Sequence, residues 1–93
     1  MSERLEALVT DYRVRLPGRV AALETAAERL AAGDESAREA LRTEAHQLKG
    51  SGASYGLDAV SRAAGALERA AREGDVDAVA SAVQELRSAI TPP

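Results

Sequence analysis

His46 is the sole histidine of the chain. An imidazole can carry a proton or attack an electrophile through a ring nitrogen. Lys49 follows it by three residues and Arg42 precedes it by four. On a helix both would be neighbours of the ring. Cations in those places attract a phosphoryl group and steady it once attached. Hydrolytic chemistry fits poorly, because no carboxylate or second nucleophile is spaced to pair with the imidazole. Glu39 and Glu44 share its segment but stand at offsets that miss the ring. Glu68 reads as a helix-surface or capping residue. No glycine-rich phosphate loop follows a strand, so an ATP site of its own is not expected.

Composition narrows the classes further. The 93 residues suit one domain, 1–93. A formal net charge of −3 argues against nucleic acid, which demands a basic face. With no cysteine and one histidine, neither a disulfide framework nor a structural zinc site is expected, and no metal site is assigned. No apolar run has membrane-spanning length and no signal peptide is recognised, so a cytoplasmic protein with no membrane partner is the expectation. Phe and Trp are absent, which leaves Leu, Val, Ile and Ala to build the core. Ala, Leu, Glu and Arg dominate, and all four favour helix.

Apolar residues recur at helical spacing throughout. Leu5, Leu8, Val9, Tyr12 and Leu16 form a first stripe, and Val20, Leu23, Ala27 and Leu30 continue it. Pro17-Gly18 stands between them, and a proline inside a helix removes a donor and clashes with the preceding turn. A break is expected there, giving a separate N-terminal helix and a bundle helix over about 17–32. Further helices are expected over 35–53, 58–73 and 76–90, ending before Pro92-Pro93. Gly33-Asp34 and Gly74-Asp75 carry stop-and-cap signals, and Ser36 with Glu39 has capping-box spacing. Short connections favour antiparallel neighbours. The fold class is therefore all-α: an antiparallel up-down four-helix bundle with an additional N-terminal helix.

The helical rotation places His46 roughly 120–140° from the Leu41, Ala45 and Leu48 stripe, facing solvent. Gly50 lies one turn along on its face, Ala53 one turn further, and Ser54 nearby. Glycine within a helix costs about 1 kcal/mol relative to alanine, and Gly50 and Gly52 fall within one turn. One explanation is that a partner must press close to the imidazole. The other is that the glycines only fray a helix end.

Ala45-His46-Gln47-Leu48-Lys49-Gly50-Ser51, followed by Gly56, Leu67-Glu68 and Gly74-Asp75, with Gly33-Asp34 upstream, resembles histidine-containing phosphotransfer (HPt) domains. The resemblance spans about residues 16–90. It implies that His46 is phosphorylated at Nε2, that Lys49 neutralises the phosphoryl group, that Gly50 gives the partner room, and that Gly56 shapes the turn into the next helix. Arg42 joins Lys49 as phosphate-stabilising, and Gln47, Gly50, Ala53 and Ser54 as partner docking. The implied partners are a response-regulator receiver domain, which would bring Mg²⁺, and a sensor or hybrid histidine kinase. The chain itself would be a monomer with no cofactor of its own. In the chemotaxis-kinase version of the domain a carboxylate on the next helix contacts the histidine. Here Ser61, Arg62 and Gly65 are placed nearest, and none is acidic, which favours a relay intermediate. The competing readings are a non-catalytic helical adaptor for a receiver-like partner, the phosphorylation domain of a larger hybrid kinase, and a bundle that dimerises through an alanine-rich face.

Overall fold

The computed structural model describes residues 2–91; Pro92-Pro93 lies outside them. Four helices and no strand are present among the described residues: α1 (Ser2–Ala31), α2 (Ser36–Ser54), α3 (Asp58–Glu73) and α4 (Val76–Ile90). Connections of two to four residues leave the chain no option but to reverse at each one. Each helix packs on two neighbours, in the cyclic order α1, α2, α3, α4, and the two diagonal pairs make no close backbone approach. The four apolar faces meet along one axis, where Val20, Leu41, Leu48, Leu67, Val79 and Leu86 are the largest fully buried side chains. Truncating a leucine in such a place typically costs about 2–5 kcal/mol. Ala37, Ala45, Ala64 and Ala71 are fully buried between them, and their small size lets the helices sit close.

The break expected at Pro17 does not occur. α1 is one helix of 30 residues with Pro17 inside it, so there is no additional N-terminal helix. The physical reason is phase. Leu16 and Val20 flank the proline and are both buried in the same core. Either half of α1 is also tied to α2: Tyr12 and Ser51 share a hydroxyl hydrogen bond of 2.6 Å, and Arg19 pairs with Glu44 at 2.7 Å. Pro17 and Gly18 face solvent, where the freed carbonyl can meet water. At 1.5 Å per residue α1 is about 45 Å long, which accounts for the 46 Å long axis of the molecule. Its first three turns reach beyond the other helices, with Leu5 and Leu8 about half exposed at 47% and 48%.

The turn signals act as expected at the second site and differently at the first. Asp75 caps α4 by accepting the Ala78 amide at 3.1 Å. At α2 the capping box does not form, because Glu39 turns to Arg42. Asp34 instead accepts both the amide and the hydroxyl of Ser36 and pairs with Arg29.

Candidate functional site

α2 presents His46 from its middle, with the side chain 70% exposed. The stripe Leu41, Ala45 and Leu48 is fully buried on the opposite side, so the core itself fixes the outward direction of the ring. The same rotation exposes Gln47, Gly50, Ala53 and Ser54 on the outer face. A Cβ added to Gly50 would meet nothing within 4 Å. The two glycines therefore have different reasons. Gly50 leaves empty space beside the imidazole. Gly52 is a packing residue: a Cβ there would lie 3.1 Å from the Ser61 amide nitrogen, 3.3 Å from its Cα and 3.4 Å from the Leu57 carbonyl.

That close approach sets how α3 lies along α2. Ser61 donates its hydroxyl to the Lys49 carbonyl at 2.8 Å. Gly56, with φ of +75°, closes α2 with its amide on the Ala53 carbonyl, while Leu57 bonds back to Gly52. An L-residue at that angle would be strained. The turn delivers α3 with Glu68, not Ser61, Arg62 or Gly65, at the level of His46. Nδ1 of His46 and Oε2 of Glu68 are 2.9 Å apart. The expected absence of a carboxylate is thus corrected, and so is the surface role given to Glu68. Glu68 is the one buried charged residue described, at 6% exposure.

Two cations share this carboxylate. Lys49 Nζ lies 3.8 Å from Oε1, and Arg72 Nη2 lies 3.3 Å from Oε2. The stem of Lys49 crosses α3 at Gly65, where an added Cβ would meet its Cδ at 3.6 Å. Arg42 is engaged differently, holding Glu39 through both Nε and Nη2. Glu68 entered the sequence reading only beside Leu67 in the family resemblance and as a surface or capping residue, and Arg72 did not enter it; their i, i+4 spacing on one helix does not point to α2.

The His46 hydrogen bond holds the Glu68 carboxyl below its ordinary value of 4.5; burial opposes this, and charge on His46, then on Lys49 and Arg72, adds to the lowering. A lowered carboxylate contributes stability that is fully present above the unfolded value and is lost as pH falls through the folded one. Glu68→Gln should therefore flatten part of the acid limb of a stability profile taken by urea titration from about pH 7 to about pH 3. Glu24, Asp34, Glu35 and Glu39 are lowered as well, and the variant shares them, so the difference between the two profiles isolates Glu68. Identical acid limbs would show that the carboxylate does not hold His46 in solution.

A groove of about 730 Å³ lies elsewhere, between α1 and α2 along Val14, Gly18, Ala22, Ala26 and Ala40, and no residue of the imidazole's surroundings lines it. Among the described residues no group of three or more His, Asp or Glu side chains could hold a metal ion. The arrangement is an exposed imidazole on a face of small residues, held at Nδ1 by a buried carboxylate that Lys49 and Arg72 share.

Compared with known families, residues 7–91 match the family described as Hpt domain. The chain belongs to the Hpt domain family. Neither the curated proteins nor the solved structures give a match. Hpt domains are helical bundles that carry phosphoryl groups in phosphorelays, without an ATP site of their own, and they work with receiver domains and kinases. No helix among the described residues is long and apolar enough to cross a membrane.

Proposed function

We propose that this Hpt domain accepts a phosphoryl group on Nε2 of His46 from the aspartyl phosphate of a receiver domain and passes it to another receiver. The observation that carries the accepting role of His46 is the contact between Nδ1 and Glu68, although it removes the argument for a relay drawn from the lack of a carboxylate there. A carboxylate acceptor favours the tautomer with its proton on Nδ1, which leaves the Nε2 lone pair free as the nucleophile. Attack forms the P–N bond as the P–O bond to the receiver's aspartate breaks. The electron pair stays on the departing carboxylate, and no proton has to move. The ring becomes positive, and Glu68 faces that charge through the Nδ1 proton.

Lys49 and Arg42 are the cations assigned to the phosphoryl oxygens. The receiver supplies Mg²⁺ and the in-line geometry, so positioning is this chain's main contribution. Gly50 and Ala53 provide a flat approach, Gln47 and Ser54 a polar border, and Gly56 the turn that brings α3 alongside. The domain acts as a monomer in the cytoplasm and needs no cofactor of its own.

Incubation with a phosphorylated receiver, and separately with phosphoramidate, tests the reading. An acid-labile, alkali-stable label on the peptide containing His46 is expected from both. A chain that takes no label from either donor, or takes it on another peptide, sinks the proposal. The carboxylate on Nδ1 also favours a second reading, in which His46 is charged directly by a kinase as part of a larger hybrid protein. Faster labelling by a histidine kinase with ATP than by any receiver would select it.

A further inference from the structure

Gly65 stands in the middle of α3 and is buried, although glycine is a poor helix former there. Its surroundings differ from those of the other glycines inside helices. A Cβ at Gly18 or Gly50 would meet nothing within 4 Å, and one at Gly52 would meet backbone. At Gly65 the three nearest atoms all belong to side chains: Lys49 Cδ at 3.6 Å, Arg69 Nη1 at 3.7 Å and Lys49 Cε at 3.9 Å. Lys49 touches the same face of α3 at two more points. Its carbonyl accepts the Ser61 hydroxyl at 2.8 Å, and its Nζ lies 3.8 Å from Oε1 of Glu68. Ser61, Gly65 and Glu68 are spaced i, i+4 and i+7, so they form one stripe along α3. Lys49 follows that stripe from backbone to ammonium. A helix side chain leans toward the N-terminus of its own helix, which on α2 is the direction of His46, and both side chains end on the one carboxylate.

We infer that Gly65 is a positioning residue of the transfer site: by carrying no side chain it lets the stem of Lys49 lie flat on α3, which holds the ammonium at the carboxylate it shares with His46. The inference rests on the phosphoryl-carrier reading above, in which Lys49 is assigned to the phosphoryl oxygens. The ion pair to Glu68 is long, and Lys49 is 53% exposed, so that pair alone fixes the ammonium poorly. The fixing contact is the apolar one, a methylene stem laid along a helix with its charge left at the solvent edge. A lysine so laid has less freedom to lose on meeting an anion than one free in water. The distances set the limit on residue 65. At 3.6 Å from Cδ a β-carbon makes ordinary contact, so alanine fits. Isoleucine, with two γ-carbons one bond further out, claims the space of the stem. The Ser61 bond would stay, since it holds the Lys49 backbone, and the ammonium would swing away from Glu68.

The test is a double-mutant cycle on the rate at which phosphoramidate labels His46, a donor small enough to need no docking surface. Gly65→Ile is expected to slow labelling by about 10-fold when Lys49 is present and by no more than about twofold in a Lys49→Gln background. Gly65→Ala should label within about twofold of wild type. Arg69→Gln, which removes the other neighbour of Gly65 and leaves the stem, should do the same. In NMR spectra of the wild-type protein, a nuclear Overhauser contact between the Gly65 α-protons and the Lys49 δ-protons is expected, and this measurement does not depend on any variant folding. Its absence overturns the inference. Equal slowing by Gly65→Ile in both backgrounds, or none in either, also overturns it, as does a Lys49→Gln protein that labels at the wild-type rate. In each of those cases a wild-type label on His46 leaves the carrier reading standing. If wild type takes no phosphoryl group, both fall.

Discussion

His46→Asn is expected to take up no phosphoryl group from any donor and yet to melt within about 5 °C of wild type. The amide nitrogen of asparagine falls near the place of Nδ1, so it can still donate to Glu68, while nothing replaces Nε2. Retaining that donor matters because Glu68 is buried, and a buried group that loses a partner costs about 1–3 kcal/mol. The ring itself is largely solvent-exposed, so little packing is lost with it. His46→Ala removes donor and nucleophile together and should melt lower than His46→Asn. Labelling and thermal circular dichroism on the same samples separate the two effects. A labelled His46→Asn protein would place the nucleophile elsewhere.

The second large effect divides the two glycines of α2. Gly50→Gln should slow transfer from a receiver by about 100-fold or more, since a displacement of about 1 Å at a reacting centre can cost that much. The same substitution should raise stability by up to about 1 kcal/mol, because the site is open and glycine is the poorer helix former. Gly52→Ala should do the reverse to stability. Its Cβ would press on the Ser61 and Leu57 backbone, and overpacking against rigid neighbours costs about 1–3 kcal/mol, more than the gain in helix propensity. Urea titrations and a receiver-transfer assay on both variants check this. A Gly50→Gln protein that accepts phosphoryl from a receiver at the wild-type rate would show that no partner surface approaches α2 there.

The helices were legible because each carries an unbroken 3.6-residue stripe, and the outward direction of His46 followed from the same count. Two features were not. Pro17 was read by its local rule, whereas burial of Leu16 and Val20 on one face outweighs that rule through contacts far along the chain. Glu68 was missed because a wheel gives direction around one helix but not how far one helix slides along another. That offset depends on the Gly52–Ser61 approach. From there, six residues back along α2 reach His46 and seven forward along α3 reach Glu68. A placement made from the turn alone stops at Ser61, Arg62 and Gly65, one to two turns short. Gly52 was the clue in the sequence, since a helix glycine that is buried marks where two backbones meet.

Tyr12 and Tyr55 pack with ring centroids 4.7 Å apart and their planes tilted by 42°, and the chain has no tryptophan or phenylalanine. All of its near-ultraviolet circular dichroism must therefore arise from one coupled pair of chromophores, placed where α1 passes the end of α2. Loss of that signal with helicity retained would report opening at this end alone, about 13 Å along α2 from His46. The chain is also dark in tryptophan emission. A partner's indole can therefore be followed during docking with no background from this domain, and the tyrosine pair serves as an internal record of whether the bundle has stayed closed.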